Sequence, residues 1–215
     1  MKYFLFTFFL FLRLSLFSQT HNVSALAVSP LASYSSIWND AKYSACNTAA
    51  NAAYLTKSEK EVIYVLNLIR SYPALFCKTV LKKYPETSGQ LYLAEDSFYF
   101  LSLVNELETM QPVNILMPDN ACFISAKAHA YYSGITAYVG HERKSPDSRA
   151  KKHFYGECCE YGHSDPVDII LALLIDEGIP SLGHRIVSFT NYTKVGVSIQ
   201  PHKKYGKNTV LDFYF

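Results

Sequence analysis

The sequence IDEGIPSLGHR, residues 175–185, places two carboxylates and one histidine beside two glycines. Neutral imidazole nitrogens and ionised carboxylates are ligands that zinc accepts where no thiolate is used. Glycine lets the backbone turn sharply and approach a ligand closely. Gly140-His141 and Gly156-Glu157 repeat this combination upstream. A dipeptide of this kind is common in turns, but the three in order predict one site assembled from separate segments.

The order of these segments resembles that of the CAP superfamily (cysteine-rich secretory proteins, antigen 5 and plant pathogenesis-related proteins), and more closely its bacterial secreted branch. In that family a Gly-His precedes a Gly-Glu, then a helix ends in an acidic residue, and a second Gly-His follows. The matching segments here are Gly140-His141, Gly156-Glu157, residues 167–177 and Gly183-His184. Further segments resemble the family's first two helices and its final strands: residues 61–73, 125–130, 195–198 and 210–213.

This resemblance implies an α+β fold, namely a three-layer α-β-α sandwich of the CAP type with a C-terminal antiparallel hairpin. It also implies a central cleft of two histidines and two acids, which in some members holds zinc or another divalent cation. His141 and His184 match the histidines and are the expected metal ligands, and Glu157 matches the first acid. Asp176 is the preferred match for the second acid, and Glu177 is the alternative because the helix register allows either.

Two positions depart from the family's pattern and bear on the metal rather than on the fold. Cys158 stands where the family often has an asparagine after Gly-Glu. Leu173 and Leu174 occupy the region where a tryptophan often precedes the second acid.

The N-terminal residues predict export from the cell. Lys2 supplies a positive charge, residues 4–12 are apolar, and Ser18 offers a small residue for cleavage. Arg13 interrupts the apolar run, which is short of the roughly 20 residues that a membrane-spanning helix needs. We therefore predict a secreted protein, extracellular or periplasmic, with no stable membrane span in the mature chain. The predicted divisions are a signal peptide at 1–18, a low-complexity and partly disordered leader at 19–57, and the CAP domain at 58–215.

Local patterns predict most of the secondary structure. Thr56 and Glu59 form a capping signature ahead of an amphipathic helix. Asp165-Pro166 begins a largely apolar helix that Gly178 is expected to stop. Two alternating segments near the C-terminus predict an antiparallel hairpin. The expected helices cover about 58–70, 73–83, 96–108, 121–139 and 166–177, with a loop at 141–155 and strands at 194–200 and 209–215.

The chain carries five cysteines, an odd number for an exported protein. We expect a disulfide that involves at least one of Cys122, Cys158 and Cys159, because disulfides are common in such proteins. The adjacent residues Cys158 and Cys159 would pair with each other only under strain, so separate partners are expected.

Composition and motifs exclude several functions. A net charge of +2 gives no electrostatic basis for binding nucleic acid. The HExxH motif of zinc proteases and the GxSxG motif of serine hydrolases are missing from the sequence. We therefore expect a binding or interaction module that takes a small apolar ligand or a protein partner. The alternative is a peptidase-like hydrolase that uses the His/acid cluster, or Cys158 or Cys159 activated by His184 or His163.

Overall fold

A mixed four-stranded sheet organises the protein, and the computed structural model describes residues 28–90, 92–95 and 97–215 of it. The strands are β1 (Met117–Pro118), β2 (Gly156–Tyr161), β3 (Lys194–His202) and β4 (Gly206–Tyr214). Their order is β1-β3-β4-β2, with β1 parallel to β3 and the other pairs antiparallel. The predicted C-terminal hairpin is confirmed as β3 and β4, and β2 lies at an edge of the sheet.

Helices make up most of the remaining ordered chain. They are α1 (Lys57–Ser71), α2 (Pro73–Thr79), α3 (Tyr84–Thr87), α4 (Tyr92–Glu95), α5 (Phe98–Thr109), α6 (Asn120–Thr136), α7 (Pro146–Ala150), α8 (Pro166–Ile175) and α9 (Gly183–Phe189). Short 3₁₀ helices occur at Ser36–Asn39, Ala41–Cys46 and Leu81–Lys83. Among the described residues, none of these helices has the length and apolar character needed to cross a membrane.

The helix predictions are confirmed in type and corrected at several ends. The capping box is present, since the Thr56 side chain accepts from Glu59 N while Glu59 accepts from Thr56 N at 2.8 Å. The loop that we predicted at 141–155 contains α7, which Ser145 caps. Helix α6 stops at Thr136 rather than near residue 139, because the next residue adopts the left-handed conformation.

One face of the sheet packs against the main hydrophobic core. Val195 and Val197 on β3 lie beside Phe213 and Leu211 on β4, and all four are buried in this core. Helix α1 contacts β3, and α8 and α9 contact β2. This face therefore joins the sheet to the helices from both halves of the chain.

Helix α6 covers the opposite face of the sheet. Val210 packs against Ala126 and Ala130 of α6 in a smaller apolar cluster. Gly196 allows the approach, because a Cβ at this position would lie 1.9 Å from Phe123 N. The small side chains on α6 and the glycine on β3 bring helix and strand backbones into close contact.

Residues 28–56 belong to the packed structure, which corrects the expectation of a partly disordered leader for this part. Leu31, Trp38 and Tyr43 are buried in the main core. The Trp38 indole nitrogen donates to Thr79 Oγ1 at 3.0 Å, which fixes the segment to the end of α2. The predicted signal peptide lies outside the described residues.

Candidate functional site

The first half of the site is a histidine–carboxylate pair at the edge strand. Glu157 is the second residue of β2, and His141 lies in the segment between α6 and α7. Gly140 turns the chain just before His141 with a φ of 129°, a conformation that favours glycine. His141 Nδ1 lies 3.0 Å from Glu157 Oε1. The His141 side chain is 54% exposed while the Glu157 carboxylate is buried. A buried carboxylate therefore orients an imidazole ring that solvent can reach.

The second half is a similar pair at the junction of α8 and α9. Asp176 adopts the left-handed conformation with a φ of 56° and ends α8, so the helix stops before Gly178, where we had predicted its end. Asp176 Oδ2 accepts from the backbone nitrogen of His184 at 3.0 Å, and Oδ1 lies 2.7 Å from His184 Nδ1. The Asp176 carboxylate thus hydrogen-bonds to the backbone at the start of α9 and also to the imidazole ring of His184.

The two imidazole rings face a shared space. The ring centroids of His141 and His184 lie 5.5 Å apart, and both residues line a cavity of about 530 Å³. Each Nδ1–H donates to a carboxylate, so in the neutral tautomer the lone pair of each ring resides on Nε2. The arrangement therefore provides two imidazole nitrogens suited to binding a cation or accepting a proton.

Glu177 is placed differently from its neighbour. Its carboxylate accepts a hydrogen bond from Ser97 Oγ at 2.6 Å. Ser97 also caps the first turn of α5 by accepting from Phe100 N. Of the two alternatives for the second acid, Asp176 is therefore the one paired with His184, while Glu177 ties the end of α8 to α5.

Arg143 is a central residue that the sequence analysis missed. Its guanidinium is buried, pairs with Glu157 and lies 2.8 Å from Asp212 Oδ2 on the neighbouring strand. It also donates to the Ser125 carbonyl of α6 at 2.7 Å. The contact with Glu157 depends on the loop after α6 folding inward, which brings Arg143 to a strand residue 14 positions away in the sequence.

Arg185 has a different, structural role. Its guanidinium is buried and donates to the carbonyl oxygens of Leu174 at 2.6 Å and Ile175 at 3.1 Å. A further bond of 2.9 Å reaches the carbonyl of Tyr99 on α5. These contacts satisfy the last carbonyl groups of α8, which have no partner within the helix. The residue after His184 therefore fixes α8, α9 and α5 relative to one another.

The two carboxyl groups that contact Arg143 have pKa values shifted in opposite directions. Burial alone would raise the pKa of Glu157, but hydrogen bonding to His141 and the charge of Arg143 hold this pKa below its usual range. Burial raises the pKa of Asp212 well above its usual range despite the same guanidinium, and the neighbouring Glu157 charge adds to the rise. Glu157 is therefore the carboxylate that carries the negative charge at the site near neutral pH.

The cysteines do not form the disulfide that we expected. All five are buried free thiols in the structure. Cys158 and Cys159 are consecutive strand residues and project to opposite faces of β2, towards different partners. Cys158 Sγ donates to the carbonyl oxygen of His184 rather than to its ring, and burial raises the pKa of both thiols. This environment disfavours the thiolate that a Cys-His nucleophile requires.

The remaining histidines have other hydrogen-bond partners, although His163 lines a cavity of about 320 Å³ together with Asp176 and His184. His163 Nδ1 pairs with Glu160 at 2.7 Å, and His202 is buried at the end of β3 as a hydrogen-bond partner of backbone groups. His129 on α6 is also buried. Two groups of side chains in the described residues could hold a metal ion: Asp119, Cys122 and His153, and His129, Glu157 and Cys159. Neither group was predicted from the sequence, because each joins segments that are distant along the chain.

Comparisons of the chain with protein-family models, curated proteins and solved structures find no match. The function is therefore inferred from the residues of this chain alone. The strongest feature among them is the convergence of two histidine–carboxylate pairs from four separate positions.

Proposed function

We propose that this protein is a secreted CAP-domain binding module whose cleft takes a divalent cation, with zinc as the preferred ion. The observation that carries the proposal is the 5.5 Å separation of the His141 and His184 rings, each paired with a buried carboxylate. Two such pairs from distant segments, on one cavity, form a more specific arrangement than surface histidines do.

The architecture supports the CAP assignment. The mixed sheet ends in an antiparallel hairpin, and helices pack against both of its faces. These are features expected of the three-layer α-β-α sandwich. The apolar N-terminal sequence, with its positive charge and small residues, supports secretion.

Two neutral imidazoles on one cavity support zinc as the ion of the cleft. His141 and His184 would hold it through Nε2, while Glu157 and Asp176 fix the orientation and tautomer of each ring through Nδ1. Zinc bound there would supply a Lewis acid to a polar group of the ligand. Neutral imidazole is the form that binds, so we expect zinc affinity to fall as the pH drops below that at which histidine protonates, about 6.5 for the free side chain.

The cavity beside the rings favours a ligand with an apolar body. Phe154, Tyr155, Ile179 and Val187 line it together with the two histidines, and Lys152 lies at the same cavity. Cavities of this character bind ligands through apolar walls and a few polar groups that fix orientation. A small apolar ligand with one polar or anionic end matches these walls better than a highly charged ligand would.

Zinc titration of the mature full-length protein tests the cation site. The His141→Ala, His184→Ala double variant should bind one zinc fewer per chain than the wild type. His163→Ala is the matched control, because His163 also pairs with a carboxylate but lies outside the pair of facing rings. Equal zinc stoichiometry in the wild type and the double variant would refute the cleft site.

A further inference from the structure

A second set of metal-binding side chains lies buried next to the cleft. Glu157 and Cys159 are two residues apart on β2 and therefore project from the same face, towards α6. His129 on α6 meets them there. One ligand atom from each of the three residues lies within 4.8 Å of the others, and all three residues are buried.

His129 shows why this group points to a ligand. Its Nε2–H donates to the carbonyl oxygen of Gly140 at 2.9 Å, so the lone pair of the neutral ring lies on Nδ1. His129 Nδ1 is fully buried and has no hydrogen-bond partner among the residues that the structure describes. A buried polar atom without a partner costs about 1–3 kcal/mol, so such atoms call for an explanation. Burial also lowers the pKa of His129, which favours the neutral form that binds metals.

We propose that His129 Nδ1, Cys159 Sγ and the Glu157 carboxylate form a buried transition-metal site that is distinct from the His141–His184 cleft. One nitrogen, one sulfur and one oxygen donor suit zinc, which binds Cys, His and carboxylate ligands. The ion would link α6 to the edge strand β2, so the site stabilises the fold beneath the cleft. This inference does not depend on a metal in the cleft.

The charges of the surrounding groups are compatible with a divalent ion. Binding breaks the Cys159 S–H bond, releases that proton to water and forms the metal–sulfur bond, with no change in oxidation state. A thiolate and the Glu157 carboxylate then neutralise the two positive charges of the ion. Arg143 retains Asp212 as its partner, through contacts of 3.0 and 2.8 Å. The charges of the ion are thus balanced by its own two anionic ligands, and the Arg143 guanidinium keeps hydrogen-bond acceptors at Asp212.

His141 provides the approach from solvent. Its Nδ1 lies 3.7 Å from Cys159 Sγ, and its side chain is 54% exposed. A rotation of this one side chain would open the buried group without moving α6 or β2. We therefore expect slow metal exchange at this site compared with the open cleft.

Cobalt(II) is the probe that distinguishes the two sites, because a thiolate ligand gives a near-ultraviolet charge-transfer band and imidazole does not. The mature full-length protein loaded with cobalt should show this band, and Cys159→Ser should abolish it. Cys158→Ser is the matched control: it removes the adjacent buried thiol on the other face of β2 and should retain the band. His184→Ala, which alters the cleft, should also retain it.

A second measurement covers the case in which Cys159→Ser does not fold. Zinc added to the wild type should slow alkylation of Cys159 at least tenfold, as read by peptide mass mapping, and should leave the rate at Cys158 unchanged. The proposal is overturned if the wild type shows no thiolate band, if the band survives in folded Cys159→Ser, or if zinc gives Cys159 no protection. If the wild type and the His141→Ala, His184→Ala double variant bind equal amounts of zinc while the cobalt band is present, only the proposed function is refuted. The two failures are therefore distinguishable.

Discussion

Replacing Arg143 by Met gives the most informative test of how the site is held together. The guanidinium lies between Glu157 and Asp212, which face each other on adjacent strands, and it also bonds to the Ser125 carbonyl. Methionine keeps much of the side-chain volume but removes the charge and all of these donors. Two buried carboxyl groups are then left side by side without a cation.

The expected cost is large because the pair is buried. The side chains of Arg143, Glu157 and Asp212 are all less than 5% exposed, so solvent cannot replace the lost contacts. Removing one partner of a buried ion pair typically costs about 3–5 kcal/mol. For a protein of this size, that free-energy loss corresponds to a fall in Tm of roughly 6–20 °C. Arg149→Met makes the same substitution at a nearby exposed position and should cost under about 1 kcal/mol.

The pH dependence of this loss of stability tests whether Glu157 is the charged carboxyl group. In the wild type the lowered pKa of Glu157 contributes stability that is present above its unfolded pKa and is lost as the pH falls through the folded one. Without Arg143 the part of this contribution that comes from its charge is lost, while the hydrogen bond to His141 remains, so the difference in unfolding free energy between wild type and variant should shrink towards acid pH. Urea unfolding at several pH values measures this difference in unfolding free energy. A difference that stays constant or grows on acidification would refute the assigned charge on Glu157.

Three further predictions concern packing, capping and processing. Gly196→Ala should lower the unfolding free energy by about 1–3 kcal/mol or more, because its Cβ would meet the α6 backbone at 1.9 Å. At Gly183 an added Cβ would lie 3.6 Å from Ser181 Oγ, an ordinary contact, so Gly183→Ala should change urea unfolding little, and equal effects of the two substitutions would contradict the close approach at Gly196. Thr56→Ala should cost about 1 kcal/mol in the same assay through loss of the capping box, and an unchanged midpoint would count against it. Exported protein should begin near residue 19, and N-terminal sequencing that still finds Met1 would reject cleavage.

Local signals in the sequence predicted the elements that carry the site. The capping residues of α1 and α8 are short-range features, because their hydrogen bonds join residues within three positions. The β3–β4 hairpin follows from alternation and a short connection, which act at similar range. The ordered Gly-His and Gly-Glu dipeptides selected His141, Glu157 and His184, and the resemblance to the CAP superfamily added Asp176, with Glu177 as the alternative. The structure brings His141 and Glu157, and His184 and Asp176, together as two pairs.

Contacts between distant segments were the part that the sequence could not supply. Arg143 lies in a polar stretch with other basic residues, and nothing local distinguishes it from an exposed arginine such as Arg149. His129 lies between Ala128 and Ala130, and nothing in this local pattern indicates its unpartnered Nδ1, which depends on the contact of the ring with the loop at Gly140. The polar composition of the segment before α1 predicted partial disorder, whereas aromatic residues of this segment such as Trp38 are buried in the core.

Asp176→Asn tests whether the carboxylates act on the metal through the tautomer of each ring. The Asn amide oxygen can still accept from the backbone nitrogen of His184, so the turn between α8 and α9 should persist with little loss of stability. Its NH₂ group would donate to His184 Nδ1, which places the ring proton on Nε2 and removes that lone pair from the cleft.

Zinc affinity in the cleft should therefore fall by about 10–100-fold, the usual range for losing a carboxylate behind a histidine ligand. Glu177→Gln is the matched control, because its carboxylate bonds to Ser97 and not to a cleft histidine. It should leave zinc affinity unchanged. The tautomer argument fails if Asp176→Asn binds zinc as tightly as the wild type, or if Glu177→Gln weakens binding equally. In either case the carboxylate of Asp176 would serve only to end α8 and begin α9.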